Sequence, residues 1–330
     1  MAMTKKARVR AALRGEAVDH VPVSLWGHDF LREWAPEDLA AATLESYRAG
    51  DWDFIKLNPR SSYYYEAWGN RFEPTDAAHQ PRLIESVVRN AEDLAALPEL
   101  DPAAGVFGEQ LDALRLVLER TGGEVDVMQT VFSPIGVAGR MGGREDPILK
   151  QLVAEDPAAV HTGLATITRT LIGYARASIA AGASGIFLAT LEWGSREVAD
   201  EEFYREYGRP YDLQILYAVR DAPFNIMHIC REHNMMPLFL DYPVAALNWA
   251  NRGAGNPSLR DVLSTTQRAV MGGIDEHRIA SANPEDVERE AKAAIAETGG
   301  RRLLLTGGCA IPPSTPLANR RALMRAATAP

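Results

Sequence analysis

Two residue types that bind soft metal ions occur together in the second half of the chain. The segment FNIMHICREH (224–233) places His228 two residues before Cys230, and the other cysteine, Cys309, lies in the glycine-rich turn TGGCAIPP (306–313). Imidazole and thiolate are ligands that zinc prefers, and a site with three protein ligands keeps a fourth position open for chemistry. His228, Cys230 and Cys309 are therefore candidate metal ligands.

The same three residues have a purely structural alternative. Free cysteine is among the most frequently buried residue types, and His228 belongs to an apolar run in which a core histidine would also fit. A disulfide between the two cysteines is not expected in a reducing cytosol. The residue pattern alone leaves a metal site and a pair of buried thiols equally open.

Short runs of β-branched and aromatic residues alternate along the chain with longer segments of helical periodicity, which is typical of a parallel sheet. There are eight such runs, the number of strands that closes a (β/α)8 barrel. They span residues 21–26, 53–57, 125–132, 184–193, 224–230, 237–249, 269–274 and 301–309. We expect residues 1–330 to form a single domain of the α/β class, a (β/α)8 TIM barrel.

Barrel geometry predicts where distant parts of the chain meet. Active sites lie at the carboxyl ends of the strands, where the predicted strands five and eight end in His228, Cys230 and Cys309. Residues two apart on a strand point to the same side, so the His228 and Cys230 side chains are expected to converge. The stretch 58–124 is too long for one connection, and we expect an insertion after strand two that caps one end of the barrel.

Composition excludes several classes of function. With 46% hydrophobic and 24% charged residues the chain is typical of a globular protein. A formal net charge of −9 without a long run of Lys or Arg argues against nucleic acid as a partner. No stretch approaches the eighteen apolar residues of a membrane span, and the basic N-terminus has no apolar core of a signal peptide. We expect a cytoplasmic protein that acts on a small molecule.

Motifs along nearly the whole chain resemble the uroporphyrinogen decarboxylase superfamily. They are RVRAALRGEAVDHVPVSLWG (8–27), VFSPIGVAGRMGG (131–143), LNW (247–249), GGID (272–275) and GGCAIPPSTPLANRRALMRA (307–326). The resemblance implies a (β/α)8 barrel with its site at the carboxyl face. It also implies one of two activities: metal-free decarboxylation of a porphyrinogen, or zinc-dependent transfer of a methyl group between a corrinoid and a thiol.

The residues distinguish the two branches. Decarboxylases of the superfamily carry an arginine-rich segment after strand one and a histidine in the closing turn, whereas this chain has only Arg32 and, in the turn, Cys309. The methyltransferase branch carries His-x-Cys and a later Cys, as in His228, Cys230 and Cys309. The resemblance therefore implies bound Zn2+ and a methyl-corrinoid co-substrate, either free methylcobalamin or a group on a separate corrinoid protein.

The acceptor stays open. Coenzyme M methyltransferases of the branch usually place a glycine after His-x-Cys, where this chain has Arg231. Coenzyme M, homocysteine, a folate or another small molecule could accept the methyl group, with a zinc-activated thiol as the main expectation. The alternatives are a metal-free lyase acting on an acidic substrate and a non-catalytic zinc- or corrinoid-binding module.

Further site residues are expected at the strand ends and in the insertion. Glu192 is a candidate fourth ligand or acid–base group, or only a cap for the next helix. Asn248 and Trp249 end strand six and are expected to line the pocket, unless they are structural. Tyr64 and Tyr65 could pack against a corrin edge or fix the insertion onto the barrel.

Overall fold

The structure is a computed structural model that describes residues 2–142 and 148–328. Within these ranges the chain alternates strands and helices. The strands are β1 (Phe54–Leu57), β2 (Arg71–Glu73), β3 (Arg82–Glu85), β4 (Asp126–Phe132), β5 (Gly185–Ala189), β6 (Ile226–Ile229), β7 (Ala246–Trp249), β8 (Ala269–Ile274) and β9 (Leu303–Gly307).

The helices of the described residues lie before, between and after these strands. They are α1 (Lys5–Leu13), α2 (Pro36–Gly50), α3 (Tyr63–Glu66), α4 (Ala91–Ala95), α5 (Gly105–Thr121), α6 (Pro134–Gly139), α7 (Leu149–Glu155), α8 (Pro157–Ala180), α9 (Glu201–Tyr207), α10 (Arg209–Ala218), α11 (Leu259–Thr265), α12 (Pro284–Thr298) and α13 (Leu317–Thr328). The start of α12 has the expected chemistry, since the Asn283 side chain accepts the amide of Asp286 and Pro284 occupies the first turn.

Seven strands form one parallel sheet in the order β1-β4-β5-β6-β7-β8-β9. Every residue of these strands is buried, as expected for a parallel sheet covered by helices. The register places His228 of β6 beside Asn248 of β7 and beside Ala189 of β5. The α/β class and the parallel sheet predicted from the sequence are confirmed.

The predicted first strand, 21–26, is not a full strand. Val23 makes a single parallel bridge to Leu305 of β9, and the Asp53 amide donates to the Val23 carbonyl at 2.8 Å beside β1. Pro22 contributes a carbonyl to Leu305 but has no amide hydrogen, so a regular ladder cannot run through it. The segment lies between β9 and β1, and the sheet curls into a TIM-barrel-like arrangement.

Two other predicted strands are shorter than the sequence suggested. The run 237–249 is a strand only over β7, and Met236–Leu238 is a 3-10 helix that contains Pro237. The run 184–193 ends as a strand at Ala189, and Leu191–Gly194 forms a 3-10 turn. Apolar composition marked these segments as buried, but it did not distinguish a buried strand from a buried turn.

The segment 58–124 contains α3, the antiparallel hairpin β2–β3, α4 and α5. Helix α5 packs against α2 and α8 in the outer layer, as a helix between barrel strands does. The hairpin is the part that stands apart from the main sheet. Across residues 2–142 and 148–328, no helix combines the length and apolarity needed to cross a bilayer.

Candidate metal centre

Three side chains predicted as metal ligands lie together at the carboxyl ends of β6 and β9. Cys230 directly follows β6, and Cys309 lies two residues after β9. Their Sγ atoms are 4.0 Å apart. The ligand atoms of His228, Cys230 and Cys309 all lie within 4.8 Å of one another. The curvature of the sheet thus brings together residues that are remote in sequence.

The orientation of the His228 ring is set by Asn248 on the neighbouring strand. The side-chain amide of Asn248 donates to the carbonyl oxygens of Met271 at 3.0 Å and Gly307 at 3.3 Å. Its Oδ1 therefore faces His228 and accepts a hydrogen bond from Nδ1 at 2.6 Å. With the proton on Nδ1, a neutral imidazole has its lone pair on Nε2, the state in which histidine binds a metal.

The turn that carries Cys309 requires glycine immediately before it. A Cβ atom on Gly308 would lie 2.3 Å from the Cα of Ala250 and 2.7 Å from Oε2 of Glu276. The Gly308 amide donates to that same oxygen at 3.2 Å. Burial, and then the negative charge of Cys309, raise the pKa of Glu276 to about 7. Glu276 therefore holds the backbone that positions Cys309.

The two thiols are close enough to share one proton. A hydrogen bond from Cys230 lowers the pKa of Cys309 well below its ordinary value. The same hydrogen bond, together with burial, raises the pKa of Cys230. A bound cation would favour ionisation of both thiols.

The donor set fits a zinc ion. Zinc–sulfur bonds of about 2.3 Å at tetrahedral angles place two thiolate sulfurs about 3.8 Å apart, and the two Sγ atoms are separated by 4.0 Å. The three side chains line one cavity, which leaves space beside them for an exchangeable ligand. Two sulfurs and one imidazole nitrogen give three protein ligands, the number found in catalytic zinc sites. A purely structural zinc site would need a fourth protein donor.

Glu192 lies outside this cluster of ligand atoms and is paired with Arg140. The Nε of Arg140 donates to the two carboxylate oxygens at 3.0 and 2.9 Å, and a second guanidinium nitrogen donates to Oε2. Burial opposes ionisation, but the hydrogen bonds and charge of Arg140 lower the pKa of Glu192. Its role as a fourth ligand or acid–base group stays a prediction. The alternative of a helix cap is wrong, because Asp200 caps α9.

The candidate metal site opens into a cavity of about 1060 Å3. Part of its wall belongs to the barrel, and part belongs to the β2–β3 hairpin and its turn. The lining residues from this hairpin are Phe72, Thr75, Ala78, His79, Gln80, Pro81, Arg82 and Leu83. A volume of this size exceeds that of most drug-sized binding pockets, and it can receive a small molecule together with part of a larger one.

The predicted corrin-binding residues occupy different environments. Tyr64 is fully enclosed, stacks on Phe132 with 4.2 Å between ring centroids, and donates its hydroxyl to the Thr130 carbonyl at 2.8 Å. Tyr65 is also largely buried, but it lines the cavity. Corrinoid contact with either ring stays a prediction, and for Tyr64 it would require the ring to leave its packed position.

Asn248 and Trp249 lie on opposite faces of β7, because successive strand residues alternate. Asn248 lies on the same face of the sheet as His228 and hydrogen-bonds to this candidate metal ligand. The Trp249 indole is fully buried and donates to the Pro257 carbonyl at 2.9 Å. Neither Asn248 nor Trp249 is among the residues that line the cavity in the described part of the chain, so the predicted ligand contact of both residues has no support in this arrangement. Asn248 acts on the site through its hydrogen bond to His228.

Sequence reasoning missed three charged residues of the site. Arg140 and Lys56 line the cavity, and Glu276 supports the Cys309 turn. Lys56 had a signal, since it is a lysine in the otherwise apolar strand sequence FIKL. Glu276 had none, because Asp275 beside it is equally acidic and instead accepts the amides of His277 and Arg278.

A family model for uroporphyrinogen decarboxylase (URO-D) matches residues 4–329. The chain belongs to this family. Proteins similar in sequence to this URO-D family member include the methylcobamide:CoM methyltransferase MtbA of Methanosarcina mazei. It is 26% identical over 341 residues, which cover 98% of this chain and 97% of that protein. The methyltransferase MtaA of Methanosarcina barkeri is 25% identical with the same coverage. A uroporphyrinogen decarboxylase of Syntrophotalea carbinolica is 29% identical over 232 residues, 66% of this chain and 63% of that protein.

Solved structures agree with the fold of this URO-D family member. A methyltransferase from Methanosarcina mazei matches with a TM-score of 0.83 at 22% identity, over 98% of both chains. A B12-independent methionine synthase from Shewanella sp. W3-18-1 matches with a TM-score of 0.58 at 11% identity, over 87% of this chain and 86% of that chain. At these identities the likeness concerns the fold, and the family resemblance predicted from the sequence motifs is confirmed.

Proposed function

We propose that this protein is a zinc-dependent methyltransferase that moves a methyl group between a methyl-corrinoid and a small acceptor, most simply a thiol. The observation that carries the proposal is the convergence of His228, Cys230 and Cys309 in one cavity wall. Similarity over 98% of the chain to two methylcobamide:CoM methyltransferases supports the corrinoid as the methyl donor.

The chain's own residues have defined tasks in this proposal. A zinc ion held by His228, Cys230 and Cys309 would supply a Lewis acid that favours the thiolate form of an acceptor thiol. Asn248 keeps Nε2 of His228 unprotonated, and Glu276 holds the turn of Cys309. In the overall reaction the sulfur–carbon bond forms while the cobalt–carbon bond breaks, cobalt keeps the electron pair, and the thiol proton is released.

We also propose that residues 1–330 form one (β/α)8 domain whose mouth is capped by the β2–β3 hairpin of the segment 58–124. The interior of an eight-stranded barrel is filled with side chains, so a corrinoid must present its methyl group from outside. The hairpin residues in the cavity wall support such a cap. The corrinoid would then be either free methylcobalamin or the group of a separate corrinoid protein.

The competing lyase activity has weak support from the same residues. Gripping the several carboxylates of a porphyrinogen needs several unpaired cationic side chains. Arg32, the arginine that follows the first predicted strand, is already engaged by both carboxylate oxygens of Glu45, at 2.7 and 2.9 Å. This pairing favours methyl transfer over decarboxylation as the function of the site.

The test combines metal content with turnover. The wild-type protein, purified without chelator, should hold about one zinc ion per chain by mass spectrometry and should demethylate methylcobalamin in the presence of a thiol, followed by the cobalamin absorbance. Cys309→Ser should lose zinc and turnover while keeping its circular dichroism spectrum. Met227→Leu is the matched control, because Met227 lies on β6 next to His228 but faces the opposite side of the sheet.

Two results would overturn the proposal. Retention of a full complement of zinc by Cys309→Ser would remove Cys309 from the ligand set. A wild-type protein without zinc that releases carbon dioxide from a porphyrinogen would establish the lyase instead.

A further inference from the structure

A second histidine, His28, lies in the wall of the cavity that holds the candidate metal ligands, and a buried carboxylate fixes its ring. The Nδ1 atom contacts both carboxylate oxygens of Glu33, at 2.9 and 3.0 Å. Glu33 is only 1% exposed and also accepts the Asp29 amide at 2.9 Å. Because an ionised carboxylate can only accept, the proton of a neutral imidazole lies on Nδ1 and the lone pair on Nε2. The ring also stacks on Phe30, with 4.7 Å between centroids.

The Nε2 atom of His28 is available to a molecule in the cavity. Across residues 2–142 and 148–328 it has no hydrogen-bond partner, and the side chain is 15% exposed. The other histidines of the cavity wall besides the candidate ligand are held less firmly. The side chains of His79 and His277 are mostly exposed, and the carboxylate beside His79, that of Asp76, is exposed as well. His28 is therefore the cavity histidine with a fixed tautomer and a free ring nitrogen.

The competing proton acceptor in the cavity is Lys56, since burial lowers its pKa to about 7. Its Nζ lies over the Phe187 ring, 4.8 Å from the centroid, and 5.5 Å from the centroid of the Trp26 ring. It also donates to Oδ1 of Asn58. Ring faces and an amide oxygen stabilise an ammonium group, which has no lone pair. The contacts of Lys56 thus favour the form that cannot accept a proton, whereas those of His28 favour the form that can.

His28 also lines a second cavity, of about 560 Å3. Residues of α2 and of the start of α13 belong to the wall of this cavity, and two of them, Glu45 and Leu317, are exposed to solvent. Residues that line both cavities form the wall between them, and His28 is one of these residues. Its ring therefore lies between the candidate metal centre and a separate, solvent-facing cavity.

The backbone brings His28 close to the turn of Cys309. Gly27 forms a parallel bridge with Ile311, whose amide donates to the Trp26 carbonyl at 2.9 Å. Ile311 is two residues from Cys309, which is at most about 7 Å of extended chain. A small acceptor at the metal ligands, or one water molecule beside it, can therefore connect the reacting atom with the His28 ring.

We propose that His28 is the proton shuttle of this site: Nε2 accepts the proton that the acceptor loses and passes it to water in the second cavity, while Glu33 is the positioning residue that holds the ring. This inference rests on the proposed function, in which the acceptor is a thiol. The sulfur–hydrogen bond breaks, its electron pair stays on sulfur, and the proton forms a bond with the Nε2 lone pair. The imidazolium beside Glu33 then gives the proton to water, so the pair is unchanged after each transfer. This route stays open when a corrinoid covers the barrel mouth.

The test compares two neutral thiols of similar size that differ in acidity. Fluorine withdraws electrons from sulfur, so 2,2,2-trifluoroethanethiol ionises more readily than ethanethiol. With methylcobalamin as donor, His28→Gln should lower kcat with ethanethiol by at least about 100-fold, the lower end of the range for general base catalysis, and should lower kcat with the fluorinated thiol much less. Free imidazole should restore part of the ethanethiol turnover of His28→Ala, because it can occupy the vacated space.

His20→Gln is the matched control and should leave kcat unchanged with both thiols. The His20 side chain is as buried as that of His28 and lies 3.4 Å from a carboxylate, Asp53, that is as buried as Glu33. Asp53 precedes β1, so this pair lies at the amino end of the strand, away from the candidate site.

Nitrogen-15 NMR of labelled histidine measures the tautomer without metal, donor or turnover. The His28 signals, assigned by their absence in His28→Gln, should show a protonated Nδ1 and an unprotonated Nε2. In Glu33→Gln the two tautomers should mix, and kcat should fall more with ethanethiol than with the fluorinated thiol.

The outcomes separate this inference from the proposed function. Equal losses with both thiols in His28→Gln, or a wild-type ring protonated on Nε2, would overturn the shuttle while methyl transfer itself stands. A fully active His28→Gln beside a Lys56→Met variant whose loss depends on thiol acidity would assign the proton to Lys56 and overturn it too. Absence of methyl transfer from the wild type with every thiol would reject the proposed function, and the shuttle with it.

Discussion

Asn248→Ala should weaken zinc binding without touching a metal ligand. Asn248 accepts the Nδ1 proton of His228 at 2.6 Å, and its own amide protons are held by the Met271 and Gly307 carbonyls. The substitution removes the group that fixes both the tautomer and the ring orientation of His228. A free ring can rotate or carry its proton on Nε2, and either change takes the lone pair away from the metal.

The size of the effect follows from these contacts. Loss of a hydrogen bond to a metal-binding histidine typically lowers metal affinity by about 10- to 100-fold, which corresponds to about 1.4–2.8 kcal/mol. Two hydrogen bonds to backbone carbonyls are lost as well, and at about 1 kcal/mol each they lower the free energy of unfolding by about 2 kcal/mol. The variant should therefore fold, bind zinc weakly and lose turnover when zinc is limiting.

Competition with a chromophoric chelator measures the zinc affinity, and urea unfolding of the metal-free protein measures stability separately. Asn225→Ala is the matched control. Asn225 is equally buried, accepts the Ile186 amide at 3.0 Å and donates to the Val219 carbonyl at 2.8 Å, outside the candidate site. The reasoning is refuted if Asn248→Ala binds zinc as tightly as the wild type, or if Asn225→Ala loses as much affinity.

Two further substitutions test the packing around the site and the pH dependence of stability. Tyr64→Ala should lower the free energy of unfolding by about 3–5 kcal/mol and leave turnover per folded molecule unchanged. Tyr65→Ala, at the cavity wall, should instead raise the KM for methylcobalamin. If urea unfolding and kinetics show that Tyr64→Ala raises this KM and Tyr65→Ala does not, the corrinoid contacts Tyr64. Burial raises the pKa of Asp212 to about 7, although the hydrogen bonds from Tyr204 and Tyr242 oppose this effect. The protonated carboxyl group therefore makes its full contribution to the free energy of unfolding below about pH 4, and this contribution is lost as the pH rises through 7. The free energy of unfolding of Asp212→Asn should therefore equal that of the wild type at pH 4 and exceed it at pH 8, by on the order of 4 kcal/mol at most. A difference in thermal stability between the two proteins that is the same at pH 4 and pH 8 would contradict the assignment.

The convergence of the candidate metal ligands was predictable because two simple rules apply to them. Alternation along a strand puts His228 and Cys230 on one side, and the meeting of strand ends in a curled parallel sheet adds Cys309. The same alternation separates Asn248 from Trp249, since only one of two adjacent residues can face the ligands. Applied consistently, the rule would have retained Asn248 as a site residue and assigned Trp249 to the layer between sheet and helices.

Other parts of the site left no local pattern in the sequence. The Arg140–Glu192 pair joins the end of α6 to the turn after β5, and it depends on how two loops pack above the sheet. The tyrosines of α3 directly follow β1 and its short loop, which suggested exposure at the barrel mouth. Their burial depends on Phe107 of α5 and Phe132 of β4, which pack against Tyr64 from other elements.

Arg231 occupies the position after His-x-Cys where coenzyme M methyltransferases usually have glycine, and this difference concerns the backbone conformation of the turn. It follows Cys230 and has φ of 69°, in the left-handed region where glycine is unstrained and other residues cost about 1–2 kcal/mol. The Asn256 side chain donates to its carbonyl at 3.0 Å and helps to hold this turn. The glycine common at this position in coenzyme M methyltransferases is therefore accounted for by the turn after β6. Its replacement by arginine therefore carries no information about the methyl acceptor.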